Sequence, residues 1–329
     1  MYKCMNERIR QSSFLVTGGA GFIGSHISAT LLESGAKHVR VLDNLSTGYR
    51  DNIKELLPSA GFEFIEGDIR DPETCRKACS DMDFVLHNAA LGSVSRSITD
   101  PGSTHQVNAD GFFNMLDAAR LSGIKRFVYA SSSSVYGDDP SMPKKEERTG
   151  NPLSPYAVTK VMNEAYANVF SRVYGMPTVG LRYFNVFGPY QNIHGPYAAV
   201  IPIFITKMLS GVRPEIFGDG KNTRDFTFVK NVVQANIKAV LSEKTGNGGF
   251  VFNVACGETI ALLDLYAEIA RLMDFPHSPD FKPERAGDIR NSWADISHAA
   301  EYLGYRPEMT WKEGIRITVD WYRSQLSKQ

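Results

Sequence analysis

The feature that most constrains the fold is a glycine-rich turn near the N-terminus. It follows a short apolar run, 13–16, typical of a buried strand, and leads into a helical pattern of apolar residues that stops at Gly35. Glycines allow a tight turn and a close approach to a pyrophosphate, whose charge is met by the N–H groups of a helix start. Strand, turn and helix together predict dinucleotide binding. The residues predicted to contact the dinucleotide here are Gly18, Gly21, Phe22, Ile23 and Gly24.

An acidic residue lies at the distance expected for ribose recognition. Asp43 follows a predicted second strand, 39–42, and comes about 20 residues after the glycine turn. A carboxylate there binds the adenosine ribose hydroxyls and repels a 2′-phosphate, so the sequence favours NAD over NADP. The alternative is a strand-end turn formed by Asp43 and Asn44. Asn44 and Gly48, in the same loop, are also predicted to contact the cofactor.

Further strands follow at a spacing typical of α/β proteins. The predicted strands are 62–65, 84–87, 127–130 and 178–181. Their alternation with helices predicts a Rossmann-type, doubly wound parallel sheet with ligand at the carboxyl ends of the strands. A smaller C-terminal α/β lobe is expected to bind substrate. The predicted division is an NAD-binding domain over 1–182, with 228–252 returning to it, and a lobe over 183–329.

Residues at the strand ends are the candidates for cofactor contact. Asp68 and Ile69 suit the adenine, and Ala89 and Ala90 are small enough for close approach. Turn formation and ordinary packing are the alternatives at these positions. Two further residues predicted to contact NAD are Asn108 and Tyr183.

A tyrosine and a lysine lie one turn apart in a predicted helix. Ser154 is a good N-cap and Pro155 suits the first helical position, so Tyr156 and Lys160 fall on one face. A phenol with a pKa of about 10 is a poor base, and a nearby ammonium favours the phenolate, as would an oxidised nicotinamide. Tyr156 is therefore a candidate general base whose pKa we expect Lys160 to lower. The alternative is an accidental pair on a surface helix.

Composition excludes some classes of function. Basic and acidic residues balance at 36 each, which gives no electrostatic reason to expect nucleic acid or membrane as a partner. Four cysteines and no signal-like N-terminus predict a cytoplasmic location. Cys75 and Cys79 lie one turn apart, but no second Cys/His pair completes a zinc set, so we expect no metal. The apolar stretch 198–208 is interrupted by Pro202 and Lys207 and is too short to span a bilayer.

The predicted C-terminal lobe carries separated polar residues that suit a diphosphate. Arginine binds phosphate oxygens bidentately, so two arginines in a small lobe favour this ligand. The alternative is surface ion pairs, Arg224 with Asp225 and Arg285 with Glu284. The predicted anchors are Asn185, Arg224, Arg285 and Asp288.

The motifs together carry a family resemblance that covers nearly the whole chain. Segments 17–24, 88–90, 182–189 and 224–226, with Asp43, Asp68, Ser132, Tyr156 and Lys160, resemble the extended short-chain dehydrogenase/reductases, specifically the nucleotide-sugar 4-epimerases. Segments 90–94, 153–160, 198–202 and 287–292 are similar to bacterial UDP-N-acetylglucosamine 4-epimerases of the WbpP type, which serve surface-polysaccharide synthesis.

The resemblance implies tightly held NAD, a UDP-sugar substrate and a homodimer. Tyr156 would take the proton of the sugar 4-hydroxyl, Ser132 would hydrogen-bond that hydroxyl, and Lys160 would hold the nicotinamide ribose. The dimer would form through a four-helix bundle of segments 104–121 and 156–174 from each copy. Further residues implied to contact the UDP-sugar are Gly92, Ser93, Ser133, Gln191, Ala199 and Val200.

Two positions discriminate among related reactions. Dehydratases of similar fold typically place Asp-Glu where this chain has Ser133 and Ser134, and serine hydroxyls cannot act as acid and base near neutral pH. Ser292 stands where epimerases restricted to UDP-glucose carry a bulky tyrosine, so UDP-GlcNAc and UDP-GalNAc are the expected substrates, with weaker activity on UDP-glucose and UDP-galactose. Alternatively, Ser292 merely caps a turn.

Two other functions stay open from the sequence. Uronic-acid forms of the UDP-sugars are possible because Arg96 and Arg290 could meet a C6 carboxylate. A non-catalytic NAD-binding regulatory protein is the alternative of a different class, since fold does not imply function. Such a protein would be expected to lose the catalytic residues, which this chain retains.

Overall fold

The computed structural model describes residues 7–192, 199–284 and 290–326. Its centre is a seven-stranded sheet in the order β11-β6-β5-β4-β1-β2-β3, and every neighbouring pair of strands is parallel. The strands are β1 Ser13–Thr17, β2 His38–Asp43, β3 Phe62–Glu66, β4 Phe84–His87, β5 Arg126–Ser132, β6 Thr178–Tyr183, β7 Val186–Phe187, β8 Glu215–Phe217, β9 Thr223–Arg224, β10 Thr227–Phe228, β11 Gly249–Val254, β12 Ile260–Ala261, β13 Asp280–Lys282 and β14 Asn291–Ser292.

Helices cover both faces of this sheet. The α-helices with established bounds are α1 Phe22–Glu33, α2 Pro72–Cys79, α3 Val94–Thr99, α4 Pro101–His105, α5 Gly111–Leu121, α6 Pro155–Tyr174, α7 Val200–Leu209, α8 Val229–Leu241, α9 Leu262–Leu272, α10 Ser297–Leu303 and α11 Trp311–Leu326. The predicted parallel, doubly wound fold is confirmed.

Alternation along the strands explains the two layers. Successive side chains of a strand point to opposite faces, so Phe14 and Val16 enter one core while Leu15 enters the other. The first core includes residues of α1 and α8, and the second includes residues of α2, α5 and α6. Cys75 and Cys79 are buried in the second core, where burial raises the pKa of both thiols to about 12. Their environment is that of packing residues.

The helix predicted over 104–121 is interrupted. A π-helical turn, Gln106–Asp110, separates α4 from α5. Within it the Asn108 amide accepts a hydrogen bond from Leu91 N and donates one to Leu91 O, at 2.8 and 3.2 Å. The extra residue of a π turn thus directs Asn108 toward the loop that follows β4.

Small sheets and a third core form the C-terminal lobe. Its two-stranded sheets are β10-β7 and β13-β8, and its three-stranded sheet is β12-β9-β14. The chain does not leave the central sheet for good, because β11 pairs with β6 at the sheet edge and α8 packs against the same core. The proposed division into an NAD-binding domain and a substrate lobe stays a prediction.

Candidate active site

A cleft of about 550 Å³ opens at the carboxyl ends of the central strands. It lies where the strand order reverses between β1 and β4, which is where open α/β sheets bind ligands. Predicted site residues that line it are Gly18, Gly21, Phe22, Ile23, Gly24, Asp43, Asn44, Ile69, Ala89, Ala90, Gly92, Ser93, Ser132, Tyr156, Lys160, Tyr183, Asn185, Gln191 and Ala199.

The glycine turn is packed too closely for side chains. Gly18 has a φ of 66°, and a Cβ built there would lie 2.7 Å from the backbone nitrogen of Ala89. A Cβ on Gly24 would lie 2.2 Å from the carbonyl oxygen of Gly18. The turn therefore presents bare backbone at the start of α1, with N–H groups suited to a pyrophosphate. This cradle fits the dinucleotide that the sequence predicts.

Asp43 organises the neighbouring loop. Its Oδ2 accepts a hydrogen bond from Ala20 N at 3.0 Å, and its Oδ1 accepts one from Leu45 N at 2.8 Å. Burial raises the pKa of Asp43, and these backbone N–H groups lower it in part. Each carboxylate oxygen has a second lone pair, so the turn role does not exclude binding of ribose hydroxyls. Both interpretations of Asp43 are compatible with this geometry.

Ser132, Tyr156 and Lys160 meet on one side of the cleft. Ser132 ends β5, while Tyr156 and Lys160 occupy the first turns of α6, which Ser154 caps by accepting a hydrogen bond from Ala157 N at 3.1 Å. The Ser132 side chain lies close enough to the Tyr156 hydroxyl to lower its pKa. Lys160 Nζ donates to the Ala130 carbonyl at 2.8 Å and lies 5.8 Å from the centroid of the Tyr156 ring.

The pKa of Tyr156 is shifted in the direction opposite to the one expected from the sequence. Burial raises the pKa of Tyr156, and the nearby Ser132 side chain lowers it only in part. The prediction that Lys160 lowers this pKa is therefore not reproduced by the protein's own groups. Burial also lowers the pKa of Lys160 to about 8, against the opposing effect of Glu164. Desolvation is the largest influence on the pKa of both side chains.

The sequence did not reveal a buried ion pair beside Lys160. Glu164 accepts two hydrogen bonds from the Arg182 guanidinium, at 2.9 and 2.8 Å, and a third from Ser131 Oγ at 2.6 Å. Burial lowers the pKa of Arg182, but Glu164 and Tyr136 raise it above its usual value. Glu164 lies one turn beyond Lys160 on α6, so an i, i+4 carboxylate was the available signal. The pair joins the end of β6 to α6, and the Ser131 hydrogen bond joins the end of β5 to the same helix.

Several predicted cofactor residues support the cleft without lining it. The Arg70 guanidinium lowers the pKa of Asp68 to about 2, and Asn44 donates a further hydrogen bond to Asp68 at 2.8 Å. Asn108 holds the loop at Leu91, as described above. Gly48 lies against Asp43, since a Cβ there would come within 3.0 Å of the carboxylate. Direct contact of these residues with NAD stays a prediction.

The predicted substrate anchors occupy the C-terminal lobe. Ser292 pairs with Arg224 between β14 and β9, next to Asp225. The Asp225 carboxylate accepts backbone N–H groups, so its bonds are not those of the ion pair considered from the sequence. Predicted substrate residues that do not line the cleft are Ser133, Val200, Arg224 and Ser292, so a contact of Ser292 with the sugar stays a prediction. Arg285 and Asp288 lie outside the described residues.

Sequence reasoning missed several cleft residues. Ser46, Thr47 and Val107 carry no motif that would single them out, and only the folded chain brings them to the cleft. Further lining residues outside the predicted site set are Leu42, Gly67, Leu91, Ala130, Ser131, Val186 and Asn192. Asn88, in the motif 88–90, and Arg96, the candidate for a C6 carboxylate, were named from the sequence and line the cleft as well.

The described ranges contain neither a metal-binding cluster nor a membrane-spanning helix. Within them no cluster of three or more His, Cys, Asp or Glu side chains could hold a metal ion. None of the helices in these parts of the chain has the length and apolar character to cross a membrane.

The chain is similar to known proteins over most of its length. The model of the "NAD dependent epimerase/dehydratase family" matches residues 14–255. A UDP-glucose 4-epimerase of Mycolicibacterium smegmatis is 40% identical over 313 residues, which cover 94% of this chain and 98% of that protein.

Two solved structures are also similar to this chain in sequence and fold. A UDP-N-acetylglucosamine 4-epimerase from Methanobrevibacter ruminantium M1, in complex with UDP-N-acetylmuramic acid, is 39% identical with a TM-score of 0.90, covering 95% of this chain and 99% of that one. A UDP-glucuronic acid 4-epimerase from Bacillus cereus, in complex with UDP-glucuronic acid and NAD, is 31% identical with a TM-score of 0.87, covering 95% and 99%.

These matches confirm three predictions made from the sequence. They are the family resemblance, the enzyme class, an epimerase and hence an isomerase, and the NAD cofactor. The chain belongs to the NAD-dependent epimerase/dehydratase family.

Proposed function

We propose that this protein is a UDP-sugar 4-epimerase that acts through a transient 4-keto sugar. The observation that carries the proposal is the contact of Ser132, Tyr156 and Lys160 at the cleft formed by the glycine turn and Asp43. The serines at 133 and 134 support it, because they supply neither the acid nor the base that a dehydratase needs. Oxidation and re-reduction at C4 then leave no net redox change.

Each catalytic side chain has a defined task in this mechanism. Tyr156 Oη accepts the proton of the sugar 4-hydroxyl and later returns it, while Ser132 Oγ hydrogen-bonds the same oxygen. NAD, when bound, would supply the hydride acceptor and donor, and the positive charge of its oxidised nicotinamide would lower the raised pKa of Tyr156. Lys160 would hold the nicotinamide ribose. Inversion requires the keto sugar to present its other face, so the UDP must be held more firmly than the hexose.

The identity of the sugar is proposed from one residue, Ser292. A serine at 292, rather than a tyrosine, leaves room for an acetamido group at C2 of the hexose. We therefore propose UDP-GlcNAc and UDP-GalNAc as the main pair, with UDP-glucose and UDP-galactose as weaker substrates. The structural relative named a UDP-N-acetylglucosamine 4-epimerase supports this choice, whereas the Mycolicibacterium relative is named for UDP-glucose.

A uronic-acid substrate is the second candidate. Arg96 lines the cleft together with Ser93, and a guanidinium at this place suits a C6 carboxylate. The Bacillus cereus relative is named for UDP-glucuronic acid. Arg96→Met distinguishes the two: it should abolish turnover of a UDP-uronic acid and spare the neutral UDP-hexoses.

We further propose that the functional unit is a homodimer built on α5 and α6. Apolar side chains on these two helices face solvent, Val173 being 66% exposed and Leu121 58% exposed. A second copy would bury them in a four-helix bundle. Sedimentation of Val173→Asp should show monomers, and Val212→Asp, a change at a similarly exposed valine elsewhere, should leave the dimer intact. Monomeric wild-type protein would contradict the proposal.

The decisive experiment is a panel of UDP-sugars incubated with the NAD-loaded protein, followed by product analysis for inversion at C4. Wild type should interconvert UDP-GlcNAc and UDP-GalNAc fastest. Tyr156→Phe retains the ring but cannot carry the proton, so its rate should fall by a factor of about 10²–10⁴. If wild type binds NAD and converts no UDP-sugar faster than Tyr156→Phe, the proposed function is wrong.

A further inference from the structure

A buried carboxylate in the C-terminal lobe has no part in the chemistry above. The Asp225 side chain is 0% exposed. Its Oδ1 accepts a hydrogen bond from Cys256 N at 2.9 Å, and its Oδ2 accepts bonds from Gly257 N at 3.0 Å and Ala294 N at 3.3 Å. One carboxylate therefore joins three segments that are far apart in the sequence.

These segments carry the predicted anchors for the UDP-sugar. Arg224 directly precedes Asp225, and Ser292 pairs with Arg224 two residues before Ala294. The backbone oxygen of Asp225 accepts a hydrogen bond from Asn185 Nδ2 at 2.9 Å. Asn185 has a φ of 34°, a strained conformation that persists only where surrounding contacts impose it. The Asp225 residue thus contacts, or lies next to, every described anchor of the lobe.

The segment 292–294, which we call the wall of the sugar site, is also held by backbone contacts with Lys144. Lys144 N donates to Trp293 O at 2.9 Å, and Asp295 N donates to Lys144 O at 3.0 Å. The segment after Ser292 is therefore fixed from two directions, by the Lys144 backbone and by Asp225. Removal of the Asp225 bond to Ala294 would leave one of these supports.

Stability alone does not account for a carboxylate at this position. Burial raises the pKa of Asp225 to about 6, and the groups that lower it are backbone N–H groups. The ionisable side chains that interact with it electrostatically include the Cys256 thiol and the Tyr305 hydroxyl. No salt bridge to this carboxylate is seen in the part of the chain that the structure describes, and a buried charge held by backbone N–H groups alone contributes the arrangement that those bonds impose rather than net stability.

We propose that Asp225 is a positioning residue for the UDP-sugar. Its carboxylate holds β9, the turn at 256–257 and the wall at 292–294 in one arrangement, so that Asn185, Arg224 and Ser292 act on one ligand. This inference rests on the proposed function. It assigns Asp225 to substrate affinity and leaves the proton and hydride steps to the residues of the other side of the cleft.

Asp225→Asn is the informative substitution. Asparagine has the size of aspartate and keeps one acceptor oxygen. Its amide NH₂ group replaces the other oxygen and cannot accept hydrogen bonds from the backbone N–H groups. We expect KM for the UDP-sugar to rise at least tenfold, with kcat within threefold of wild type and NAD affinity unchanged. Calorimetric titration of the NAD-loaded protein with UDP should show a matching rise in Kd.

Asn231→Ala is the matched control. Asn231 is also buried in this lobe, and its Oδ1 accepts two backbone bonds, from Glu308 N and Met309 N at 3.0 Å each. Those segments carry no predicted anchor. Asn231 Nδ2 also lies 3.7 Å from Cys256 Sγ, but sulfur is a weak acceptor, and Asn231→Ala leaves the backbone N–H groups that Asp225 binds in place. The control should lower the melting temperature while leaving the Kd for UDP unchanged. If folded Asp225→Asn binds UDP as wild type does, or if Asn231→Ala weakens UDP equally, the inference is refuted.

A measurement on wild type keeps the test valid if Asp225→Asn does not fold. Addition of UDP should slow hydrogen exchange at 256–257 and 292–294 several-fold, and leave 308–309 unchanged. Unchanged exchange at both joined segments would refute the inference. The UDP titration does not require turnover, so wild type that binds UDP without inverting any UDP-sugar would refute the proposed function instead.

Discussion

The buried pair of Glu164 and Arg182 allows a quantitative prediction. Their side chains are 14% and 5% exposed, so Glu164→Gln leaves the Arg182 cation desolvated beside a neutral amide. Removal of one partner from a buried pair costs about 3–5 kcal/mol of unfolding free energy. A chain of 329 residues has an unfolding entropy of about 0.7 kcal/mol per kelvin. The melting temperature should therefore fall by about 4–7 °C.

Thermal unfolding of NAD-free protein tests this prediction, with two companion variants. The double variant Glu164→Leu/Arg182→Met replaces the pair by apolar side chains and should recover most of the loss, because a buried ion pair is roughly neutral against hydrophobic replacements. Glu73→Gln breaks the exposed pair with Arg76 and should shift the melting temperature by less than about 1 °C, since exposed pairs contribute little.

Two outcomes would refute the reasoning. A Glu164→Gln melting temperature within about 1 °C of wild type would mean that the pair is solvated rather than buried. A double variant less stable than Glu164→Gln would mean that the pair is worth more than its desolvation cost, contrary to the argument.

Three further predictions concern the site. Ser292→Tyr should lower kcat/KM for UDP-GlcNAc by about 5–150-fold, which corresponds to an overpacking cost of about 1–3 kcal/mol, while UDP-glucose turnover persists. The control Ser292→Ala should change neither activity. Equal effects of Ser292→Tyr on both sugars would contradict the assignment of Ser292 to the wall. Asp43→Ser with Asn44→Arg should weaken NAD and admit NADP in a binding titration, and an unchanged preference would leave Asp43 as a turn residue. Because burial lowers the pKa of Lys160 to about 8, its ammonium is lost as pH rises through that value, so kcat/KM should decline above pH 8. Glu164→Gln should move this decline to lower pH, since Glu164 raises the pKa, and a pH profile identical to wild type would exclude the coupling.

Local patterns in the sequence determined the fold class and the chemical centre. The strand, glycine turn and helix at 13–33 are fixed by residues adjacent in the chain, as is the spacing of Tyr156 and Lys160 on α6. Periodicity located all six strands that were predicted, because central strands buried on both faces, such as β1 and β4, are continuous apolar runs, whereas the edge strand β3 mixes apolar and acidic residues. These features depend on contacts between residues that are close together in the sequence.

The helix at 104–121 shows where local patterns fail. Its apolar spacing predicts one continuous helix, but a π turn interrupts it so that Asn108 reaches the backbone of Leu91. The gain is a tertiary hydrogen bond to a loop that is distant along the chain. A helical pattern carries no information about such a partner.

Only the tertiary structure decided which polar residues act together. Glu164 pairs with Arg182, and Asp225 joins the turn at 256–257 to Ala294, across separations that no spacing rule addresses. The sign of the Tyr156 pKa shift likewise followed from burial, which depends on everything packed around the phenol rather than on the lysine one turn away. Desolvation and long-range hydrogen bonding are properties of the packed chain, and they set the electrostatics of residues whose positions the sequence alone had already located.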